Sequence, residues 1–389
     1  MKRYHSSAFA VVAAGAALAL LAGCAGTGTS DESTTPEPAP TAAATSTPDA
    51  TDSIADPAPI TSPDPTDAAL PAPDPLVGTD FATGLVSPWG IDQFEDGTLI
   101  VTERNPGRFL RIDEGQATEI LQIDVTHRSE DGLLGVTIGP DEQHIYAYYT
   151  GSDGNQLVRF PWDGDALGAE EVLIEGIPGA QIHDGGQVRF GPDGHLYIST
   201  GDAGDPELAQ DPESLAGKIL RLTEEGAPAP GNPFDNEVYS MGHRNVQGLA
   251  WDDDGNLWAS EFGANSWDEL NLVVEGGNYG WPEVEGMGDG DGRFLEPAHV
   301  WRTGDASPSG LAYWRGSLWM TALRGQRLWQ IPVDGGAAGE PIEHWTGEHG
   351  RLRAILATND GELLVGTSNT DGRGNVRDGD DRLLAVGDQ

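Results

Sequence analysis

The chain has 389 residues, with 63 acidic against 21 basic side chains and a formal net charge of −42. That excess of acid disfavours nucleic acid and anionic lipid as partners. Its single cysteine, Cys24, leaves no intrachain disulfide.

The chain opens with Met1-Lys2-Arg3, an apolar run from Ala8 to Leu21, and Leu21-Ala22-Gly23-Cys24. A basic start, a short apolar core and small residues before a cut site predict an export signal over residues 1–23. A membrane-spanning helix needs ~20 apolar residues, and this run is shorter. From Ala25 to Pro75 the chain is mostly Thr, Pro, Ala, Ser and Asp, too poor in large apolar side chains to fold. The expectation is a disordered linker over residues 24–75 with a mean span of roughly 40 Å. Residues 76–389 carry 19 basic and 54 acidic side chains, a net −35, and are long enough for one large all-β domain.

Within that domain one pattern recurs six times: an apolar strand, a turn usually built on Asp-Gly, and a second apolar strand. The copies start at Gly90 (G-I-D-Q-F-E-D-G-T-L-I-V-T-E), Gly135, Gln187, Gly248, Gly310 and Ala354 (A-I-L-A-T-N-D-G-E-L-L-V-G-T). Asp-Gly between alternating apolar runs signals a hairpin, and a period near 50 residues suits a propeller blade. The prediction is an all-β, six-bladed β-propeller of four-stranded antiparallel blades over residues 76–389.

In a hairpin, residues before the first strand and after the second share the end opposite the turn. His183, the run Gly242-His243-Arg244-Asn245, Glu130, Arg351 and Arg353 precede first strands; Asp202, Glu261, Gly263 and Arg324 follow second strands. One mouth of the propeller is therefore expected to collect them all.

These residue types have chemical meanings and plainer ones. His183, in I-H-D-G-G, is a natural general base near neutral pH, or a hydrogen-bonding loop residue. Arg244 and Asn245 can stabilise a developing oxyanion, or cap turns. Arg351 and Arg353, two apart on an extended segment, are expected to project to one side, where guanidinium groups suit carboxylates. Arg324 is equally readable as half of a surface ion pair. The turn E-F-G-A-N-S-W-D-E-L-N exposes carbonyls that suit a hard cation, while Asp268 and Glu269 can cap it. Gly288-Asp289-Gly290-Asp291-Gly292 lacks the spacing of a known calcium loop and reads as a mobile surface loop near the entrance. Glu130 and Asp202 are mouth residues or solvated acids.

G-H-R-N-V-Q-G-L-A-W, S-E-F-G-A-N-S-W-D-E-L-N and G-G-N-Y-G-W-P, with I-H-D-G-G, G-L-L-G from Gly132 and R-L-R-A from Arg351, resemble the soluble quinoprotein glucose/sorbosone dehydrogenases. The likeness spans residues 80–386 and is nearest the aldose dehydrogenase branch. It implies a six-bladed propeller holding pyrroloquinoline quinone (PQQ) and Ca2+, oxidising aldoses at the anomeric carbon to lactones and passing electrons to an external acceptor. It implies His183 as base, with Arg244 at the reactive carbonyl and Asn245 beside it. Arg324, at a position where relatives often have lysine, and Arg351 and Arg353 would also contact the cofactor. Glu130 would lie on the sugar side. The carbonyls of Gly263 and Ala264 would bind the catalytic calcium, and Glu269 with Tyr279 a second, structural one. Ile182 stands where some relatives have a polar residue beside the base, so the group orienting His183 is expected elsewhere. Leu-Ala-Gly-Cys resembles a bacterial lipobox, which implies an extracytoplasmic protein anchored to the cell membrane through lipid on Cys24. The competing readings are a calcium-dependent lactonase on a propeller and a non-catalytic glycan- or protein-binding propeller.

Overall fold

The computed structural model describes residues 76–288 and 290–388. The expected signal, Cys24 and linker lie outside them, as does Asp289. No α-helix occurs among the described residues; a single 3-10 turn spans Pro206–Gln210.

Six antiparallel sheets follow one another around a ring. The first strands of the blades are Pro88–Gln93, Leu133–Ile138, Val188–Phe190, Val246–Trp251, Pro308–Trp314 and Leu352–Ala357. Their hairpin partners are Leu99–Glu103, His144–Thr150, Leu196–Ser199, Leu257–Glu261, Ser317–Ala322 and Leu363–Thr367. All six repeats of the sequence are thus the inner hairpins of six blades. The turns form as their chemistry dictates. The aspartate accepts the N–H two residues on, as in Asp96 to Thr98 at 2.9 Å and Asp193 to His195 at 3.1 Å.

Two details were not legible in the repeat. The fifth blade carries an extra short strand, Ala337–Ala338, besides its outer strand Ile342–His344. The sixth takes its outer strand from the start of the domain: Leu76–Thr83 pairs with Arg382–Asp388, Leu76 opposite Asp388. The start of the domain thus covers the edge that Arg382–Asp388 would otherwise leave unpaired.

Alternation along each strand sends apolar side chains to both neighbouring blades. Ile91, Val101, Leu356 and Leu364 fill the seam between sixth and first blades, and Ala250, Leu270, Leu311 and Met320 the seam between fourth and fifth. Closer to the axis the seams are polar. A hydroxyl near the end of the second strand donates to a carbonyl of the next blade: Thr102 to Leu134 at 2.5 Å, Ser199 to Val246 at 2.8 Å, Ser260 to Ser309 at 2.7 Å and Thr321 to Arg353 at 2.7 Å. Glycine makes that approach possible, since a Cβ on Gly310 would sit 2.5 Å from the Arg353 carbonyl oxygen. A cavity of about 10 Å³ lies on the axis among Trp89, Gln187, Gln247, Ser309 and Arg353, space for about one water.

Removing residues 76–83 from the described domain should cost the ring its closure and lower its thermal midpoint by at least ~5 °C, given that ~1 kcal/mol moves a domain of this size by a few degrees. Differential scanning calorimetry of chains with and without these eight residues checks this. Equal midpoints would mean the strand does not close the ring.

Candidate functional site

The hairpin rule places the chemistry-bearing residues at one end of the propeller, and their mutual hydrogen bonds bring many of them together there. His183 lies in the loop leading to the third blade, with φ +59, a conformation that costs a non-glycine residue energy and persists only where neighbours fix it. They do so from both sides. Its N–H donates to Glu130 Oε2 at 3.0 Å, and its carbonyl accepts from Ala203 N–H at 3.2 Å. A Cβ on Gly201 would fall 1.8 Å from that carbonyl, so glycine is needed for the two segments to meet. Asn245, buried, accepts Gly185 N–H at 3.0 Å and ties down the far side of the loop.

The His183 ring is held between two groups. Nδ1 lies 2.7 Å from Asp202 Oδ1, and Nε2 lies 2.8 Å from Arg244 Nη2. Asp202 follows the second strand of the same blade. Of its two readings, mouth residue or solvated acid, the second falls away: it is fully buried and also accepts from Gly204 N–H and the Trp281 indole, each at 2.8 Å. Burial raises its carboxyl, but the hydrogen bond and charge of His183, with those two donors, bring it below the ordinary carboxylate value. An ionised carboxylate only accepts, so Nδ1 carries the proton and Nε2 presents a lone pair, here directed at a guanidinium. Asp202 is the orienting group that Ile182 left unassigned.

Arg244 spans the mouth. Its Nη1 donates to Gly263 O at 2.6 Å and Phe262 O at 3.3 Å, and its guanidinium lies 5.5 Å from the Trp281 ring centre. Its backbone is anchored by Glu261, which takes Arg244 N–H and, at 2.9 Å, the ring of fully buried His243. His243 stacks on Tyr279 at 4.7 Å and is structural.

A second group of residues forms the positive wall. Arg104, Arg351 and Arg353 are all buried; the charge of Arg351 lowers the proton affinity of the other two, and that of Arg104 lowers Arg353. One carboxylate, Asp371, takes Arg351, with Nε and Nη2 both 2.9 Å from Oδ2. Arg353 finds only neutral partners, Gln247 Oε1 at 2.8 Å and Ser309 Oγ at 3.3 Å, and its Nε is buried without any. Burial, then the charge of Arg104, pushes Arg353 well below the usual arginine value. Arg351 precedes the strand and Arg353, at a bulge between Leu352 and Ile355, lines the axial cavity; the charges of both act on Asp371. Of these three buried cations only Arg351 is paired with a carboxylate, which leaves room for an anion with several negative charges.

The remaining expected residues are placed as follows. Glu130 is not a free acid at the mouth; its carboxylate is divided between His183 N–H and Arg373 Nη1 at 3.1 Å. Arg324 is exposed and, among the described residues, makes no ion pair, so the surface-pair reading falls away. Asp268, expected as a cap, does hold the turn, accepting Gly263 N–H at 2.9 Å. Glu269 is buried on Gly286 N–H at 2.7 Å and Asn271 Nδ2 at 3.1 Å, and burial with the charge of Glu261 pushes it up to about 8. Tyr279 turns its hydroxyl inward, donating to Leu272 O at 2.6 Å and accepting Val274 N–H at 3.0 Å, so its carbonyl is what it can offer a cation. No cluster of three His, Cys, Asp or Glu suited to a metal occurs among the described residues. A cation at the mouth would instead use carbonyls, and the guanidinium on Phe262 and Gly263 marks where they face. Sequence reasoning passed over Arg104, although it follows the second strand of the first repeat in T-E-R and the hairpin rule already placed it.

Residues 85–377 match the family model described as Glucose / Sorbosone dehydrogenase. The PQQ-bound aldose sugar dehydrogenase structure from Streptomyces coelicolor is 49% identical, with a TM-score of 0.78 over 82% of this chain and 99% of that one. The aldose sugar dehydrogenase YliI of Escherichia coli is 28% identical over 73% of this chain and 88% of its own length. Quinoprotein glucose dehydrogenase B of Acinetobacter calcoaceticus is 33% identical over 52% of this chain and 51% of its own length.

Asp184, beside the base, generates a pH test. Its Oδ1 accepts from Asn155 and Ala180 N–H while Oδ2 is buried without a partner, and burial pushes its carboxyl up to about 7. The folded protein therefore holds a proton that the unfolded chain releases above about pH 4. This contribution is full below pH 4 and is lost as pH rises through 7, by up to ~4 kcal/mol. Replacing Asp184→Asn should remove that fall, so the gap in melting temperature between variant and parent should widen in the variant's favour from pH 5 to pH 8. Parallel curves would show that Asp184 does not titrate in that window.

Proposed function

The chain belongs to the glucose/sorbosone dehydrogenase family, and from that premise we propose that it oxidises an aldose at the anomeric carbon to the lactone, using PQQ and calcium held at the arginine-lined mouth. It is a PQQ-dependent sugar dehydrogenase, an oxidoreductase, in keeping with its 49% identity to a PQQ-bound relative. The observation that carries the finer reading is the pairing, at one mouth, of a base with a defined lone pair and buried guanidinium groups that outnumber their carboxylates.

The residues fit both groups. Arg351, Arg353 and Arg104 suit the three carboxylates of the quinone, with Arg324 the exposed cation at the rim. Asn245 secures the loop that carries the base. The carbonyls of Gly263 and Ala264 suit calcium, and Glu269 with the Tyr279 carbonyl a second ion. When bound, the quinone supplies a two-electron acceptor and calcium the Lewis acidity that polarises its reactive carbonyl.

The chain's own part is proton management and positioning. Nε2 of His183 takes the proton of the anomeric hydroxyl, for which Arg244 must yield that nitrogen. Asp202 stays ionised, keeps the ring in its tautomer and stabilises the imidazolium that forms. Arg244, with two hydrogen bonds to the carbonyl turn and one to the base, is the cation available to an oxygen that gains charge. Glu130 sets the rim beside His183 through its bond to that residue's N–H, on the side we assign to the sugar.

A lactonase that grips its metal with a central cluster of acidic and amide side chains would gain nothing from the arginines that converge here. A purely binding propeller would have no use for a strained histidine aligned by a buried aspartate. We extend the proposal to location: export, lipidation of Cys24 and a linker over residues 24–75 would hold the domain outside the cytoplasm, near external electron acceptors.

His183→Ala and Asp202→Asn should each lower kcat for aldose-dependent dye reduction by ~10²- to 10⁴-fold while leaving the Kd for PQQ within a few-fold. Steady-state kinetics beside a quinone titration measure both. Unchanged kcat in His183→Ala would remove this base from the mechanism.

A further inference from the structure

The turn carrying Gly263 and Ala264 is organised by a residue with no assigned role. Glu285 lies outside the blade strands, in the segment between Val273 and His299. Its Oε1 alone accepts four consecutive backbone N–H groups: Ala264, Asn265 and Ser266 at 2.9 Å and Trp267 at 3.1 Å. The preceding N–H, of Gly263, is held by Asp268 Oδ1. Five successive donors are therefore fixed on two carboxylates.

A trans peptide points its N–H and its carbonyl in opposite directions. Pinning the N–H groups of residues 263–267 consequently turns the carbonyls of Phe262, Gly263, Ala264, Asn265 and Ser266 away from those carboxylates. The carbonyl oxygens of the turn are thereby left on the side away from Glu285 and Asp268. Two of them already accept from a cation, the Arg244 guanidinium, at Phe262 O and Gly263 O. The face has the electrostatics of a cation site built from main chain.

We propose that Glu285 is a positioning residue for the mouth's cation: its carboxylate pre-forms the carbonyl crown on which calcium sits. This rests on the reading that Gly263 and Ala264 bind calcium. Glu285 touches only the back of the turn, so it acts through backbone orientation. Its segment also carries Trp281, whose indole holds Asp202, so one stretch of chain positions both the cation's carbonyls and the carboxylate behind the base. Without the four-fold acceptor the turn would pay the entropy of ordering its peptides on binding, and the ion would be held more weakly.

The test compares the full chain with Glu285→Ala and Glu285→Gln, the second keeping an acceptor oxygen without the charge. Calcium is titrated into each at saturating PQQ, following the quinone's absorption change, and each calcium-free protein is melted separately. The expected result is a half-saturating calcium concentration raised at least about tenfold in Glu285→Ala and by less in Glu285→Gln, the range typical of residues behind metal ligands. Half-saturation unchanged in both variants, whatever the melting temperatures, would overturn the proposal and leave Glu285 a loop anchor. Should Glu285→Ala not fold, Glu285→Gln decides by the same criterion. If the parent's quinone spectrum ignores calcium altogether, it is the calcium reading that fails, and this inference with it.

Discussion

The ring depends on the close approach of inner strands from adjacent blades. At the inner strands a glycine such as Gly310 lets the neighbouring backbone come close, and a hydroxyl such as that of Thr321 donates to a carbonyl of the next blade. That contact narrows the axis to a cavity of about 10 Å³. Binding is thereby pushed to the ends of the ring, and the loops at one end are forced to face each other. Residues as distant in sequence as Glu130 and Arg373, or Asp202 and Trp281, come into hydrogen-bond contact only because six hairpins share that geometry.

Within this frame the mouth keeps two kinds of charge apart. On one side, Asp202 and Glu130 are spent on His183, fixing its backbone and its tautomer. On the other, Arg104, Arg351 and Arg353 are buried together, and of the three only Arg351 is paired with a carboxylate, Asp371. In a chain of net charge −42, where acid is plentiful, leaving these cations short of partners is the opposite of what composition favours. Burying unpaired charge destabilises a fold, so the arrangement makes physical sense when a polyanionic ligand completes it. Arg244 links the two sides, touching the base and the carbonyl turn at once.

Much of the fold was legible in the sequence because a propeller repeats its instructions. Asp-Gly turns and alternating apolar runs recur, and each copy marks a hairpin. The closing strand, Leu76–Thr83, was not legible: it belongs to no local pattern and pairs with residues some 300 positions away. At the site, residue type and hairpin end were enough to gather His183, Arg244 and the Arg351/Arg353 pair. They could not say who bonds to whom. Asp202 and Glu130 were both acids at the right end, and only packing distinguishes the buried orienter of a ring from the clamp on its backbone. Glu285 gave no signal at all, since nothing in G-W-P-E-V-E-G tells that one oxygen will gather four N–H groups.

The central claim is that the surplus arginines hold the carboxylates of a quinone, and it is tested most directly by comparing PQQ with its trimethyl ester in a thermal-shift titration of the full chain. A ligand that binds only the folded state adds ~2.7 kcal/mol of stability at one hundred times its Kd. PQQ should raise the melting temperature in a saturable way, and the ester, which keeps the ring system and loses the three charges, should not. Equal stabilisation by both, or none by either, would contradict the account.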